Sequence, residues 1–276
     1  MLNIGWLSTG RGEGSRGLLR FVQDRILRGQ LDARIEFVFS NREAGEAEGS
    51  DQLFELVGEY GLPLVSRSSA IFRRARQGPF AAHREEYDRQ VIALLSPFNP
   101  DICVLAGYML IVGGAMCRAY PLLNLHPALP DGPIGTWQEV VWRLIETRAT
   151  HTGAMVHLAT EDVDRGPVVS HCTVPLTGSA FAPLWEELNQ RDLAQVKTEL
   201  GEGFPLFQLI RQVEYQREPY LLFETLCGVV EGRVTLSGGQ VLDRGGQLLH
   251  LTQPAGLRLD QEISLAMSND GLKPIG

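Results

Sequence analysis

The chain has little of what marks a disulfide-stapled, metal-clamped or membrane-held protein. Only four of its 276 residues are cysteine. Cys103, Cys117, Cys172 and Cys227 stand too far apart to form the close pairs of a zinc site or a redox dithiol, so burial as small apolar side chains is expected. No apolar run approaches the length of a membrane span, and no basic leader with an apolar core opens the chain; the cytoplasm is the expected compartment. An excess of positive charge is also missing. Twenty-five Lys and Arg against 33 Asp and Glu give a formal charge of -8, which argues against holding nucleic acid across a broad basic face. The one local basic cluster, IFRRARQGPF at 71–80, is expected to be a solvated loop. Repeats and low-complexity linkers are absent, and no feature specifies an oligomeric state.

What is present is the composition of an ordinary folded protein, 44% hydrophobic and 21% charged, in a chain long enough to bury a substantial core. LNIGWLS opens as an apolar strand, TGRGEGSRG follows as a glycine-rich turn, and LLRFVQDRILRGQL has helical spacing. RIEFVFSN reads as a strand, SDQLFELVGEYG as a helix ended by glycine, LPLVS as a strand, HREEYDRQVIALLSPFNP as a helix stopped by proline, and DICVLAG as a buried strand. This alternation predicts an α/β fold, a mostly parallel twisted sheet with helices on both faces. TWQEVVWRLIETRA is expected to be a helix, and TGAMVHLATEDVDRGPVVSHCTVPL two strands joined by an acidic turn. Residues 1–232 are expected to form one catalytic domain, with about 179–217 a helical elaboration. Residues 233–276, alternating between glycine turns, are expected to be a small C-terminal β-rich extension packed on it.

The glycine-rich turn is not a dinucleotide fingerprint. That motif needs an acidic residue closing the second strand, and FSNRE offers Ser40, Asn41 and Arg42 instead; a P-loop's Lys-Ser/Thr ending is also missing. Two readings stay open. Backbone N–H groups at a strand-to-helix turn, with Gly14, Ser15 and Arg16, can hold a phosphate or another anion; alternatively, the turn is tight and holds no ligand.

LLNLHPALP, residues 122–130, ends an apolar segment with an amide and an imidazole two residues apart. In an extended segment Asn124 and His126 leave the same face. Downstream, EDVDRGP puts Asp162 and Asp164 in the turn between two strands, and ligands of parallel sheets bind beyond the strands' carboxyl ends. An amide, an imidazole and a carboxylate meeting there suit acyl transfer by direct attack of an amine. The amide N–H steadies the oxyanion, and the imidazole and carboxylate move the proton. A polar cluster that merely satisfies strand ends is the structural alternative.

NLHPALP followed by HTGAMVHLATEDVDRGPVV, with 38 residues from His126 to Asp164, resembles the folate-dependent formyltransferases, closest to their purine-biosynthesis branch. FVFSNRE, REEYDRQVIALL, PDICVLAGYMLI and VVEGRV extend the likeness in the same order over most of residues 1–250. The resemblance implies a Rossmann-like formyltransferase fold and transfer of a formyl group from 10-formyltetrahydrofolate to an amine, glycinamide ribonucleotide first and an amino sugar or other small amine next. It makes Asn124 the oxyanion-binding amide, His126 the catalytic imidazole and Asp164 the carboxylate that assists proton transfer. Arg84 and Leu105, Gly107, Tyr108, Met109 and Ile111 match positions bordering the folate, and Thr160, Glu161, Asp162 and Val163 the loop that holds the pterin. Gly14, Ser15, Arg16 and Glu218 fall on the acceptor side.

The acceptor side is also where the chain departs from the branch. The purine enzymes have a shorter glycine turn with asparagine at the position of Arg16, and an arginine where this chain has Leu110. DGPIGTWQEVVW is closer to the tRNA and sugar formyltransferases. Hydrolysis of 10-formyltetrahydrofolate, or folate binding without catalysis, is the alternative function. The family's hydrolases usually carry a domain ahead of the first strand, which here opens at Leu2, and a pure binder has no use for the trio. No metal is implied. His157, alternating with apolar neighbours, is read either as buried or as facing the site. His151 and His171 are expected at the surface, His83 has no assigned role, and Trp137 and Trp142 are expected to pack.

Overall fold

The first strand carries Leu2, Ile4 and Trp6 on one face and Gly5 and Leu7 on the other, which suits a strand buried on both sides. In the computed structural model, which describes residues 1–249 and 255–272, it becomes β1 (Leu2–Ser8). It lies between β2 (Ala33–Ser40) and β4 (Ile102–Leu105). β3 (Leu64–Ser66) pairs with β2, and β5 (Leu122–His126) with β4. The order is β3-β2-β1-β4-β5, parallel throughout, as parallel strands joined by helical crossovers require. Contacts divide the chain into two units: Met1–Asn124, His157–Pro167 and Leu226–Leu248 in one, Leu125–Val156, Val168–Thr225 and residues from Leu249 onward in the other.

In the first unit, Leu7, Phe37, Phe39, Cys103 and Leu105 point to one side of the sheet. There they share a core with Phe72 of α3 (Ser69–Arg74), Tyr87, Val91 and Leu95 of α4 (Arg84–Leu95) and Met116 of α5 (Gly114–Ala119). The alternate residues Ile4, Trp6, Val38 and Val104 are equally buried. On that side run α1 (Glu13–Leu27), in contact with β2, and α2 (Glu48–Glu59), in contact with α1 and β3. Both faces are therefore covered, as the alternation predicts. Two details differ from expectation. α1 starts at Glu13, inside the glycine stretch, so Gly14, Ser15 and Arg16 form its first turn. The basic cluster is largely ordered: Ser68 Oγ caps α3 by accepting from the Ile71 N–H at 3.0 Å, and Arg76 pairs with Glu86. Arg73, Arg74 and the turn after α3, with Ala75, Gln77, Gly78 and Pro79 exposed, keep the solvated character expected of the stretch.

The second unit holds α6 (Trp137–Glu146), most of β6 (His151–Leu158), β7 (Val168–Pro175), α7 (Ala182–Asn189), α8 (Leu193–Glu199) and most of α9 (Pro205–Val230). The expected helical elaboration is thus three helices. Asp192 starts α8 as its N-cap, its Oδ1 accepting from the Gln195 N–H at 2.9 Å. Trp137 and Trp142 pack against Phe207, at ring-centroid distances of 5.9 and 4.9 Å.

The C-terminal segment corrects the β-rich expectation. β8 (Val234–Ser237) and β9 (Gln240–Asp243) form a hairpin turning at Gly238 and Gly239, both at positive φ (58° and 75°), the conformation a two-residue hairpin loop requires. Beyond it come a short strand, β10 (Leu257–Arg258), parallel to β7, and a helix, α10 (Asp260–Asn269). The helix buries Ile263 and Met267, one turn apart, a period of four that the glycine-punctuated stretch before it obscures. Residues 233–248 belong to the first unit and those after them to the second. Residues 250–254 and 273–276 of the expected extension lie outside the described residues. His171, expected at the surface, is buried on β7, because β10 pairs alongside it.

Glu214, fully buried on α9, accepts from Thr152 Oγ1 at 2.5 Å, while its Oε2 has no partner among the described residues. Burial, opposed by the Thr152 bond and reinforced by the charge of Glu218, pushes its carboxyl up to about 8 from an ordinary 4.5. The folded state therefore holds a proton that the unfolded chain gives up near pH 4.5. This contribution to stability is complete below that pH and is lost as pH rises through about 8. Glu214→Gln keeps an acceptor for Thr152 and removes the titration. Thermal melts are expected to match wild type near pH 4.5 and to exceed it at pH 8.5, by at most roughly 5 kcal/mol. Parallel melting curves at the two pH values would show that the group does not titrate in this way.

Candidate active site

β5 ends where the sheet's carboxyl edge is built. Its register sets Asn124 beside Leu105, the last residue of β4, and Ala159, just past β6, donates its N–H to the Leu122 carbonyl at 2.7 Å. From there the chain turns back tightly. Leu158 N–H donates to the Pro167 carbonyl (2.9 Å), Arg165 N–H to the Asp162 carbonyl (3.3 Å) and Thr160 Oγ1 to the same carbonyl (3.1 Å). Gly166 passes so close to Leu158 that a Cβ there would lie 1.7 Å from its carbonyl oxygen. Asp164 sits at the turn with φ 55°, a left-handed conformation that aspartate tolerates better than most residues.

This turn brings Asp164 to Asn124. The Asn124 Nδ2 lies 3.2 Å from Asp164 Oδ1 and 3.0 Å from His157 Nε2, and the last two atoms are 3.6 Å apart. Both readings of His157 are therefore met: it is buried, and its ring faces the other two groups. Asn124 and Asp164, forty residues apart, meet as the acidic turn predicts. His126 follows two residues later on the same strand. It is almost fully buried, with Nε2 3.1 Å from the Pro133 carbonyl oxygen; a carbonyl only accepts, so Nε2 carries the hydrogen.

The residues expected to border a folate divide into exposed and packed. Met109 and Ile111 are exposed and Gly107 turns at positive φ, whereas Leu105 is buried. Tyr108 leans into the core, its ring 6.2 Å from Phe39, and Leu110 packs there too. The segment is tied to the end of β1: Thr9 N–H donates to the Gly107 carbonyl (3.1 Å), and Met109 N–H donates to Thr9 Oγ1 (2.8 Å). Thr9 Oγ1 in turn donates to the buried Asn41 (2.7 Å), the residue at the position where a dinucleotide site would need an acid. Arg84 opens α4 with its Nε buried and without a partner among the described residues, an orphan donor of the kind that an anionic ligand satisfies. Asp162 and Val163 are exposed, and Glu161 forms an exposed 3.3 Å pair with Arg118, worth little to stability.

On the acceptor side, Ser15 Oγ donates to the Gly12 carbonyl (2.8 Å). Arg16 donates to Glu13 (2.8 Å) and to the Gly49 carbonyl (3.3 Å). Glu218 is paired with Arg211, whose guanidinium lies 5.0 Å from the rings of both Trp137 and Tyr215. Sequence reasoning missed that pairing, and also Asp88, which accepts from the Gly113 N–H at the start of α5 (2.5 Å). Burial pushes the Asp88 carboxyl up to about 6. Helical spacing alone marks Asp88 as a buried-face position and carries no sign of its partner.

Comparison with known proteins agrees with this architecture. The chain is 36% identical over 116 residues to phosphoribosylglycinamide formyltransferase of Escherichia coli (strain K12), a match covering 37% of this chain and 53% of that one. It spans about half the length of the first curated relatives it matches. Among solved structures, phosphoribosylglycinamide formyltransferase of Coxiella burnetii aligns with a TM-score of 0.65 at 21% identity, covering 93% of this chain and 98% of that one. A formyltetrahydrofolate deformylase of Burkholderia mallei aligns with a TM-score of 0.60 at 16% identity, covering 88% and 69%. Both share the fold. The profile of the formyl transferase family matches residues 13–190, a stretch that contains Asn124, His126, His157 and Asp164, and the chain belongs to that family.

Proposed function

We propose that the protein transfers the formyl group of 10-formyltetrahydrofolate to an amine, with glycinamide ribonucleotide the first candidate acceptor. The observation that carries this is the meeting of the Asn124 amide and the Asp164 carboxylate, 3.2 Å apart at the end of β5 and two residues before His126. Family membership and the names of its relatives support the choice of donor and acceptor.

The amine lone pair attacks the formyl carbon, and the carbonyl π pair moves onto oxygen. An Asn124 N–H and the His126 Nε2–H, turned from the Pro133 carbonyl it meets in the substrate-free protein, steady that oxyanion. The ammonium proton passes to Asp164 and then, as the carbon–nitrogen bond to the folate breaks, to N10, giving the formamide and tetrahydrofolate. Met109, Ile111 and Thr160–Val163 would border the pterin and Arg84 the donor's anionic end. The first turn of α1, Gly14 to Arg16, would take an acceptor phosphate on its N–H groups.

The test measures tetrahydrofolate release from 10-formyltetrahydrofolate against a panel of amines including glycinamide ribonucleotide and amino sugars, with wild type and His126→Ala side by side. Release that requires glycinamide ribonucleotide and is lost in His126→Ala, with folate affinity kept, is the expected result. Release without any amine would make the protein a hydrolase. No release with any of them would leave a folate binder.

A further inference from the structure

We propose that His157 is the positioning residue of this site. It fixes the Asn124 amide with its nitrogen toward Asp164, so that the hydrogen Asp164 accepts in the substrate-free protein is the one handed to the formyl oxygen. The substrate comes from the formyl-transfer proposal above; the geometry stands apart from it.

His157 Nδ1 lies 3.0 Å from the Leu158 carbonyl oxygen. That oxygen can only accept, so Nδ1 carries the ring hydrogen and Nε2 of the neutral imidazole is an acceptor. Nε2 is 3.0 Å from Asn124 Nδ2, and an acceptor there selects the amide's nitrogen over its oxygen. Asp164 selects the same orientation. A reversed amide would set Asn124 Oδ1 where Nδ2 now stands, 3.2 Å from a carboxylate oxygen, with no hydrogen between them.

An amide nitrogen has two hydrogens, and both are committed, one to each acceptor. An oxyanion hydrogen bond from Asn124 therefore requires one of the two to be released. His157 is the less able to yield, being 1% exposed and anchored through Leu158. Asp164 makes the longer bond, from a turn held at φ 55°. Its release links two steps of the reaction. As the N–H passes from Asp164 to the formyl oxygen, the carboxylate loses a hydrogen bond that stabilised its charge and becomes more basic, at the moment when the attacking nitrogen must give up its proton.

The test uses His157→Leu, which removes the acceptor, and His157→Gln, whose side-chain oxygen restores one. His157→Met stands in should the leucine variant fail to fold. The first readout is the side-chain amide proton pair of Asn124 in the folate-free protein, followed by NMR and assigned through its loss in Asn124→Ala. One proton should move upfield in His157→Leu and return in His157→Gln. The second is turnover. The leucine variant should lose about 30-fold in kcat with KM for the formyl donor within about 3-fold, and the glutamine variant should recover to within about 5-fold of wild type. Amide resonances unmoved in His157→Leu, or its kcat within about 2-fold of wild type, would overturn the assignment. A wild-type protein with no turnover sinks the formyl-transfer proposal, while the resonances still decide whether His157 fixes the amide.

Discussion

Asn124→Ala is expected to lower kcat by about 10²- to 10³-fold while changing affinity for an unreactive folate by less than about 3-fold, the cost of a lost oxyanion donor. The loss is confined to the transition state because the amide is spent on His157 and Asp164 until the oxyanion forms. Binding the ground-state donor does not draw on it, so KM is expected to stay near wild type while kcat falls. Asn124→Asp should do at least as badly, since it puts a second carboxylate against Asp164 and has no N–H to donate. Steady-state kinetics with both variants checks this. A variant that loses affinity and keeps kcat would mean that Asn124 holds the substrate and leaves the transition state untouched.

Gly166→Ala is the second large effect, and it acts through the backbone. The new Cβ would fall 1.7 Å from the Leu158 carbonyl oxygen and 2.9 Å from its carbon, atoms fixed by β6 and unable to rotate away. The turn must open, and it carries both Asp164 and the Thr160–Val163 segment. Expected together are a stability loss of roughly 3 kcal/mol, a fall in kcat of about 100-fold as Asp164 leaves Asn124, and a raised KM for the formyl donor. Thermal melts and kinetics on the same preparation check it. Gly245→Ala, on the solvent-exposed turn after β9, serves as the control: among the described residues a Cβ there meets Asp243 alone, at 3.2 Å or more. Wild-type melting and turnover in Gly166→Ala would mean that the turn does not pass this close to β6.

The pairing of Asn124 with Asp164 was open to sequence reasoning because each group announces itself locally: an amide and an imidazole at the last inward positions of a strand, and carboxylates in the turn between two more. The alternation of strand and helix likewise follows from periods of two and 3.6 that the chain keeps cleanly as far as α6. What lay hidden depends on contacts between distant residues or on signals that cancel. The partner that makes His157 more than a buried strand residue is 33 positions away. The start of α1 at Glu13 is masked because Gly14 and Gly17 carry helix penalties of about 1 kcal/mol each, which tertiary packing of Leu18, Leu19 and Val22 outweighs. α10 follows a stretch whose glycines favour hairpins. His171 looked like a surface residue because the strand that pairs alongside it, β10, is only two residues long and far away in sequence. The Arg211–Glu218 pair spans two helical turns, a spacing that any charged helix offers by chance.

The most direct measurement follows the formyl carbon itself. With carbon-13 in the formyl group of 10-formyltetrahydrofolate and glycinamide ribonucleotide as acceptor, label in the acceptor's new formamide, in step with tetrahydrofolate release, is the predicted result. Label recovered as formate, or remaining on the folate, would contradict it.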